Sequence, residues 1–145
     1  MTPTGCAGYR NVIANTTENK EEILLMLYEG ALIAVKIARR GIEEKNPKLR
    51  GEKISKVLAI LTEFDCALDM EKGGALAENL SVLYHYMMDR LTVANVKNDT
   101  EALDEVERLL GELYKGFKGA ARIQALPVHT KTAESEMTGG LTIAI

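Results

Sequence analysis

Two histidines, two cysteines and scattered carboxylates are the residues of this chain that could do chemistry, and their spacing supports none. His85 sits between Tyr84 and Tyr86, and His129 lies far downstream. A di-iron helical bundle needs inward carboxylates and Glu-x-x-His pairs. Val82 stands three residues before His85, and no Glu holds that place before His129. Cys6 and Cys66 are too few for a disulfide framework and lie in no Cys-x-x-Cys or Cys/His spacing that would hold zinc or haem; they read as inert thiols. Gly73-Gly74 follows no strand, so it reads as a turn and not a phosphate cradle. No Ser/His/Asp set carries a supporting motif. The chain is therefore not expected to be an enzyme, and neither a cofactor nor a metal is expected.

The bulk properties narrow the rest. A chain of 145 residues, 46% hydrophobic and 27% charged, fits one globular domain with a real core. The net charge of -3 and the lack of any Lys/Arg cluster argue against nucleic acid. Five Tyr, two Phe and no Trp are too sparse for a base-stacking platform. The opening MTPTGCAGYRNV has no apolar stretch of the secretory kind, and the longest greasy run, broken by Glu29, falls short of the roughly 20 residues that span a bilayer. A cytoplasmic location without membrane contact is expected.

These negatives shift attention to the elements. The reading is an all-α fold, an antiparallel four-helix bundle over residues 19–122 with a flexible N-terminal arm, 1–18, and a mobile C-terminal tail, 123–145. Asn19 with Glu22 forms a capping box that opens the first helix, and Asn46-Pro47 stops it near Lys45. The second helix spans about Leu49 to Asp69. The Gly73-Gly74 turn leads to a third helix over Ala75 to Lys97. Asn98, with Glu101 three residues on, opens the fourth, Thr100 to Arg122. Gly30, inside the first helix, costs about 1 kcal/mol against Ala and implies close approach by another backbone. The closing LTIAI has strand propensity and no assigned role.

The first helix is too apolar for a bundle member with one wet face. Ile23, Leu24, Leu27, Ala31, Ala34, Ala38 and Ile42 make one stripe, and Leu25, Tyr28, Leu32 and Val35 make a second. The third helix repeats this more weakly, with Val82, Tyr86, Val93 and Val96 beside its main stripe. A surplus apolar face is either a helix touched on two sides by its neighbours, a groove for a partner helix, or a self-association surface. The candidate partner-binding residues are Leu25, Tyr28, Leu32, Val82, Tyr86 and Val93. Tyr9, an isolated aromatic in a polar arm, is a competing plug for the same surface.

Tyr9 in its polar arm, LYEG at 27–30, Leu68-Asp69 with Gly73-Gly74, and AENLSVLYHYMMDRLTVAN at 77–95 with Asp99 form an ordered series. The series resembles the bacterial flagellin export chaperone family, FliS, over about residues 9 to 120. Asn19-Lys20 stand where that family often has Ser-Pro, and Phe117 takes the place of a Trp late in the fourth helix.

The resemblance implies a cytoplasmic bundle with no cofactor. Such a protein binds the disordered C-terminal segment of flagellin and prevents its premature polymerisation. It then assists delivery to the flagellar type III export apparatus. It also implies an arm, bearing Tyr9, that lies over part of the binding surface. The oligomeric state expected is a monomer or weak homodimer. Alternatives are a homo-oligomeric structural bundle and an adaptor for another secreted helical protein.

Overall fold

The computed structural model describes residues 20–125. They form four helices, α1 (Lys20–Glu43), α2 (Pro47–Ala67), α3 (Met70–Lys97) and α4 (Thr100–Ala125), and contain no strand. Helix α1 packs on α2 and α4, and α3 packs on the same two, so α1 and α3 occupy diagonal corners of a square. Short links force each helix antiparallel to the one before it. This is the expected all-α four-helix architecture. Residues 123–125, assigned to the tail from sequence, are the end of α4; the arm, the Asn19 cap and residues 126–145 lie outside the described residues.

The corners follow from a few polar side chains. At the α1–α2 corner Lys45 takes a left-handed backbone, φ 57°, and the Asn46 N–H returns to the Gly41 carbonyl at 2.8 Å. Asn46 then caps α2, its side-chain oxygen accepting from the Leu49 N–H at 3.1 Å, with Pro47 in the first turn, where its missing N–H costs nothing. Gly41, rather than Gly30, is the site of close approach. A Cβ built at Gly41 would stand 2.7 Å from the Arg50 nitrogen, whereas one at Gly30 meets no described atom within 4 Å.

At the α2–α3 corner Asp69 caps α3 by accepting from the N–H groups of Glu71 and Lys72, at 3.1 and 3.0 Å. The helix thus starts earlier than the two glycines suggest. What remains of the expected turn is a kink at Gly74, whose φ of 52° and ψ of -130° suit glycine alone. At the last corner Asn98 ends α3 in a left-handed conformation, φ 55°, and Asp99 caps α4 by accepting from the Ala102 N–H at 3.2 Å. The expected capping role of Asn98 is therefore corrected: it terminates one helix, and its neighbour opens the next. Arg50 locks two corners together, donating to the side-chain oxygens of Asn95 and Asn98 at 2.8 and 2.7 Å.

Each helix sends one aromatic residue to the core. The Tyr28 ring lies 4.5 Å from that of Phe64 and 5.6 Å from that of Phe117, and Phe64 lies 5.9 Å from Tyr84. Tyr28 is 0% exposed and Tyr84 1%. Around them pack Val35, Ile54, Leu61, Met87, Leu91, Leu103 and Leu110, all fully buried. Burying each such side chain stabilises the fold by about 1.5–3 kcal/mol.

Candidate partner-binding surface

Helical spacing on α3 determines what remains outside. Leu80, Tyr84, Met87, Leu91 and Ala94 recur three or four residues apart and are buried, so the residues half a turn away face solvent. There Val82 is 69% exposed, Tyr86 42% and Val96 74%, with Val93 half-buried on the same side. Met70, at the start of α3, is also exposed. Together with Glu78, Ser81, His85 and Asp89, the residues Met70, Val82 and Tyr86 line a shallow depression of about 650 Å³. Its lining joins the apolar Met70, Val82 and Tyr86 to the two carboxylates Glu78 and Asp89, an arrangement suited to an amphipathic segment.

Tyr86 is held rather than loose. Its hydroxyl donates to Glu105 Oε2 at 2.7 Å, and the other carboxylate oxygen of Glu105 accepts from Arg90 Nε at 2.8 Å. This hydrogen bond pushes the Tyr86 phenol up from its ordinary pKa, and the same bond, with help from Arg90, holds Glu105 below the usual carboxylate range. The ring is thereby fixed along the α3–α4 seam with its apolar part outward, so less side-chain freedom remains to be lost on binding.

Three of the sequence-designated residues, Val82, Tyr86 and Val93, thus share one outer face. The others do not join them. Tyr28 is corrected outright: it belongs to the central aromatic cluster and presents nothing to a partner. Val35, placed beside it on the expected spare stripe, is likewise fully buried. Leu25 and Leu32 are half-buried against the core. Leu32 borders a shallow cleft between α1 and α4 that is otherwise charged, with Lys36, Asp104, Glu107, Arg108, Glu112 and Lys115 around it. Arg39 spans those helices, pairing with Asp104 at 2.9 Å and with Glu107. Tyr9 lies outside the described residues. Met70 and Val96 escaped the sequence-based selection, although Val96 shares a stripe with Val93.

One chemical trio does come together. Ser81, His85 and Asp65 are neighbours, but their hydrogen bonds run the wrong way for nucleophilic catalysis. The Ser81 hydroxyl donates to Asp65 Oδ1 at 2.6 Å, while His85 Nδ1 donates to the Ser81 backbone carbonyl at 2.8 Å. The hydroxyl therefore faces the Asp65 carboxylate and not the imidazole, whose Nδ1 is engaged by the backbone. Cys66 is disulfide-bonded, so the expectation of an inert thiol fails for it. Among the described residues no group of three or more His, Cys, Asp or Glu could hold a metal ion, and no helix is long and apolar enough to cross a membrane.

The family model for flagellar protein FliS matches residues 7–124. This chain belongs to the FliS family. The flagellar secretion chaperone FliS of Salmonella typhimurium is 36% identical over 121 residues, which cover 81% of this chain and 90% of that protein. FliSB of Pseudomonas aeruginosa, also named a flagellar secretion chaperone, is 41% identical over 101 residues, 70% of this chain and 80% of its own length. The Bacillus subtilis FliS is 31% identical over 113 residues, covering 78% and 84% of the two chains. FliS is a chaperone family. This FliS chain is accordingly a flagellar export chaperone and not an enzyme.

Proposed function

We propose that this chaperone binds the disordered C-terminal segment of flagellin in the cytoplasm, keeps it from polymerising early, and hands it to the flagellar type III export apparatus. The observation that carries this reading is the outer face of α3. Val82 and Tyr86 are large apolar residues left in water by a bundle whose core is otherwise closed, with Val93 and Val96 continuing the face along the helix. Flagellin subunits expose amphipathic terminal segments before assembly, and an unassembled segment of that kind needs an apolar cover. The client lays its own apolar stripe on Val82, Tyr86 and Val93 and reaches Met70 at the lower end. Leu25 and Leu32, half-buried on α1, contribute only where the client extends round the bundle. Tyr28 is removed from the binding set, and Tyr9 stays in it as the arm residue that competes with the client.

A client that folds on binding spends part of its interaction energy on its own ordering, so the contact has to be extensive. Calorimetric titration with a flagellin C-terminal peptide tests this. Saturable binding with a large negative heat-capacity change supports it. Binding undiminished by Tyr86→Asp in a protein of unchanged helicity overturns it.

A further inference from the structure

The disulfide at Cys66 has no part in the client reading and is out of keeping with a structural role. Cys66 is half-buried in the last turn of α2, not sealed in the core. Its neighbour Asp65 accepts from the Ser81 hydroxyl at 2.6 Å, and Ser81 lines the depression on α3. Four residues after Cys66, Met70 borders the same depression. The bond therefore stands at the Met70 end of the surface proposed for the client. The sequence holds one other cysteine, Cys6, three residues before Tyr9. Cys6 precedes Lys20, where α1 begins, by 14 residues, a length of chain that spans up to roughly 45 Å. Antiparallel packing puts the start of α1 and the close of α2 at one end of the bundle, where helix axes lie about 8–10 Å apart. Cys6 thus reaches Cys66 with chain to spare.

We propose that Cys6 and Cys66 are a site of reversible oxidation, and that their disulfide fastens the N-terminal segment at the client surface and lowers client affinity. The proposal rests on the client reading for its effect, and on the two cysteines alone for the bond. In the reducing cytoplasm a disulfide that forms is mostly transient and redox-sensing, so a permanent staple is the wrong description for a chaperone working there. The oxidant is a small-molecule disulfide. The thiolate of one cysteine attacks it, forming a mixed disulfide and releasing one small thiol. The second thiolate then attacks the protein sulfur of that mixed disulfide, closing Cys6 Sγ to Cys66 Sγ and releasing the other thiol. Two electrons and two protons pass to the small molecule, and a dithiol reverses the exchange. The Cα atoms of a disulfide lie about 5.5 Å apart, and three residues add roughly 10 Å, so the closed bond confines Tyr9 within about 15 Å of the Cys66 backbone. Met70 falls inside that radius. A second anchor this close raises the effective concentration of Tyr9 at the surface without any new contact.

The full chain, equilibrated with oxidised glutathione or with dithiothreitol, tests the proposal. Non-reducing peptide mapping by mass spectrometry should find Cys6 joined to Cys66 within one chain after oxidation, and two free thiols after reduction. The Met70 methyl signal should differ between the two forms in wild type and coincide in Cys6→Ser. A flagellin C-terminal peptide should bind the oxidised form at least about tenfold more weakly than the reduced one. Oxidation should leave affinity unchanged in Cys6→Ser, and Tyr9→Ala should keep the bond while losing most of its effect on affinity. Two free thiols persisting under oxidised glutathione overturn the proposal. So does a Cys66 bond between two chains, or a peptide bound equally well by both forms. The linkage map and the Met70 signal decide the tether even if the peptide binds neither form, a result that would count against the client reading alone.

Discussion

The hydroxyls of Tyr28 and Tyr84 meet at 3.4 Å across the diagonal of the bundle, joining two helices that otherwise barely touch. Their rings share Phe64 as a common neighbour. Burial pushes the Tyr84 phenol up to about 12, since the phenolate would lie in an apolar interior. The consequence is a sign-definite pH dependence. The unfolded chain releases this proton near pH 10 and the folded chain holds it to about 12, so the stabilisation is complete below pH 10 and is lost as pH rises through that window. Urea unfolding between pH 8 and 11 should show wild-type stability falling by up to about 1.4 kcal/mol per pH unit above pH 10. Tyr84→Phe should flatten that fall. Identical slopes in the two proteins would contradict the assignment.

The same pair separates core from surface. Tyr28→Ala should cost about 3–5 kcal/mol, because it opens a cavity among rings on three other helices. Circular dichroism should record a large drop in melting temperature. Tyr86→Ala, on an exposed ring, should shift the melt little. Equal destabilisation by the two would place Tyr86 in the core.

Two glycines of α1 should respond in opposite directions. Gly41→Ala forces a methyl against the backbone of Arg50 and should destabilise by about 1–3 kcal/mol through overpacking at the α1–α2 corner. Gly30→Ala meets open space and should stabilise the isolated bundle by up to about 1 kcal/mol. Chemical denaturation of both variants checks the contrast, and a stabilised Gly41→Ala would refute the close packing.

Removing the Asp69 cap should loosen the lower end of α3. Asp69→Ala leaves the Glu71 and Lys72 N–H groups without their acceptor and should cost about 1 kcal/mol. Because Met70, which borders the depression, stands on this turn, amide exchange of residues 70–73 should accelerate while that of α2 and α4 stays unchanged. Uniform acceleration across the bundle would mean that the cap serves global stability instead.

Most of the architecture was legible because its signals are local. Periodicity and turn residues define four helices, and of the single stripe of α4, Leu103, Val106, Leu109, Leu110, Leu113 and Phe117, four residues are buried and Leu109 and Leu113 are partly buried against the core. What misled was α1, where apolar residues cover more than half the circumference. A period of 3.6 then fits several phases, and the face assigned to the core depends on which residues are grouped first. Tyr28 sits four residues after Leu24 and seven before Val35, so it shares their face; grouping it with Leu25 rotated the helix the wrong way. Met26 and Ile33, which belong to neither sequence stripe, are exposed. At the α3–α4 corner, Asn98 and Asp99 are both good cap residues, and only backbone conformation tells that Asn98 takes the left-handed position. On α3, where one side is plainly polar, Val82, Tyr86 and Val93 were placed on the outer face correctly.

The central claim is that the uncovered face of α3 receives the flagellin terminus. The most direct measurement is calorimetric titration of wild type, Tyr86→Asp and Val82→Asp with a flagellin C-terminal peptide, each checked by circular dichroism. The account predicts tight binding with a large negative heat-capacity change for wild type, and binding weakened at least about tenfold in both variants at unchanged helicity. Wild-type affinity in either variant, or loss of binding only together with loss of helicity, would contradict it.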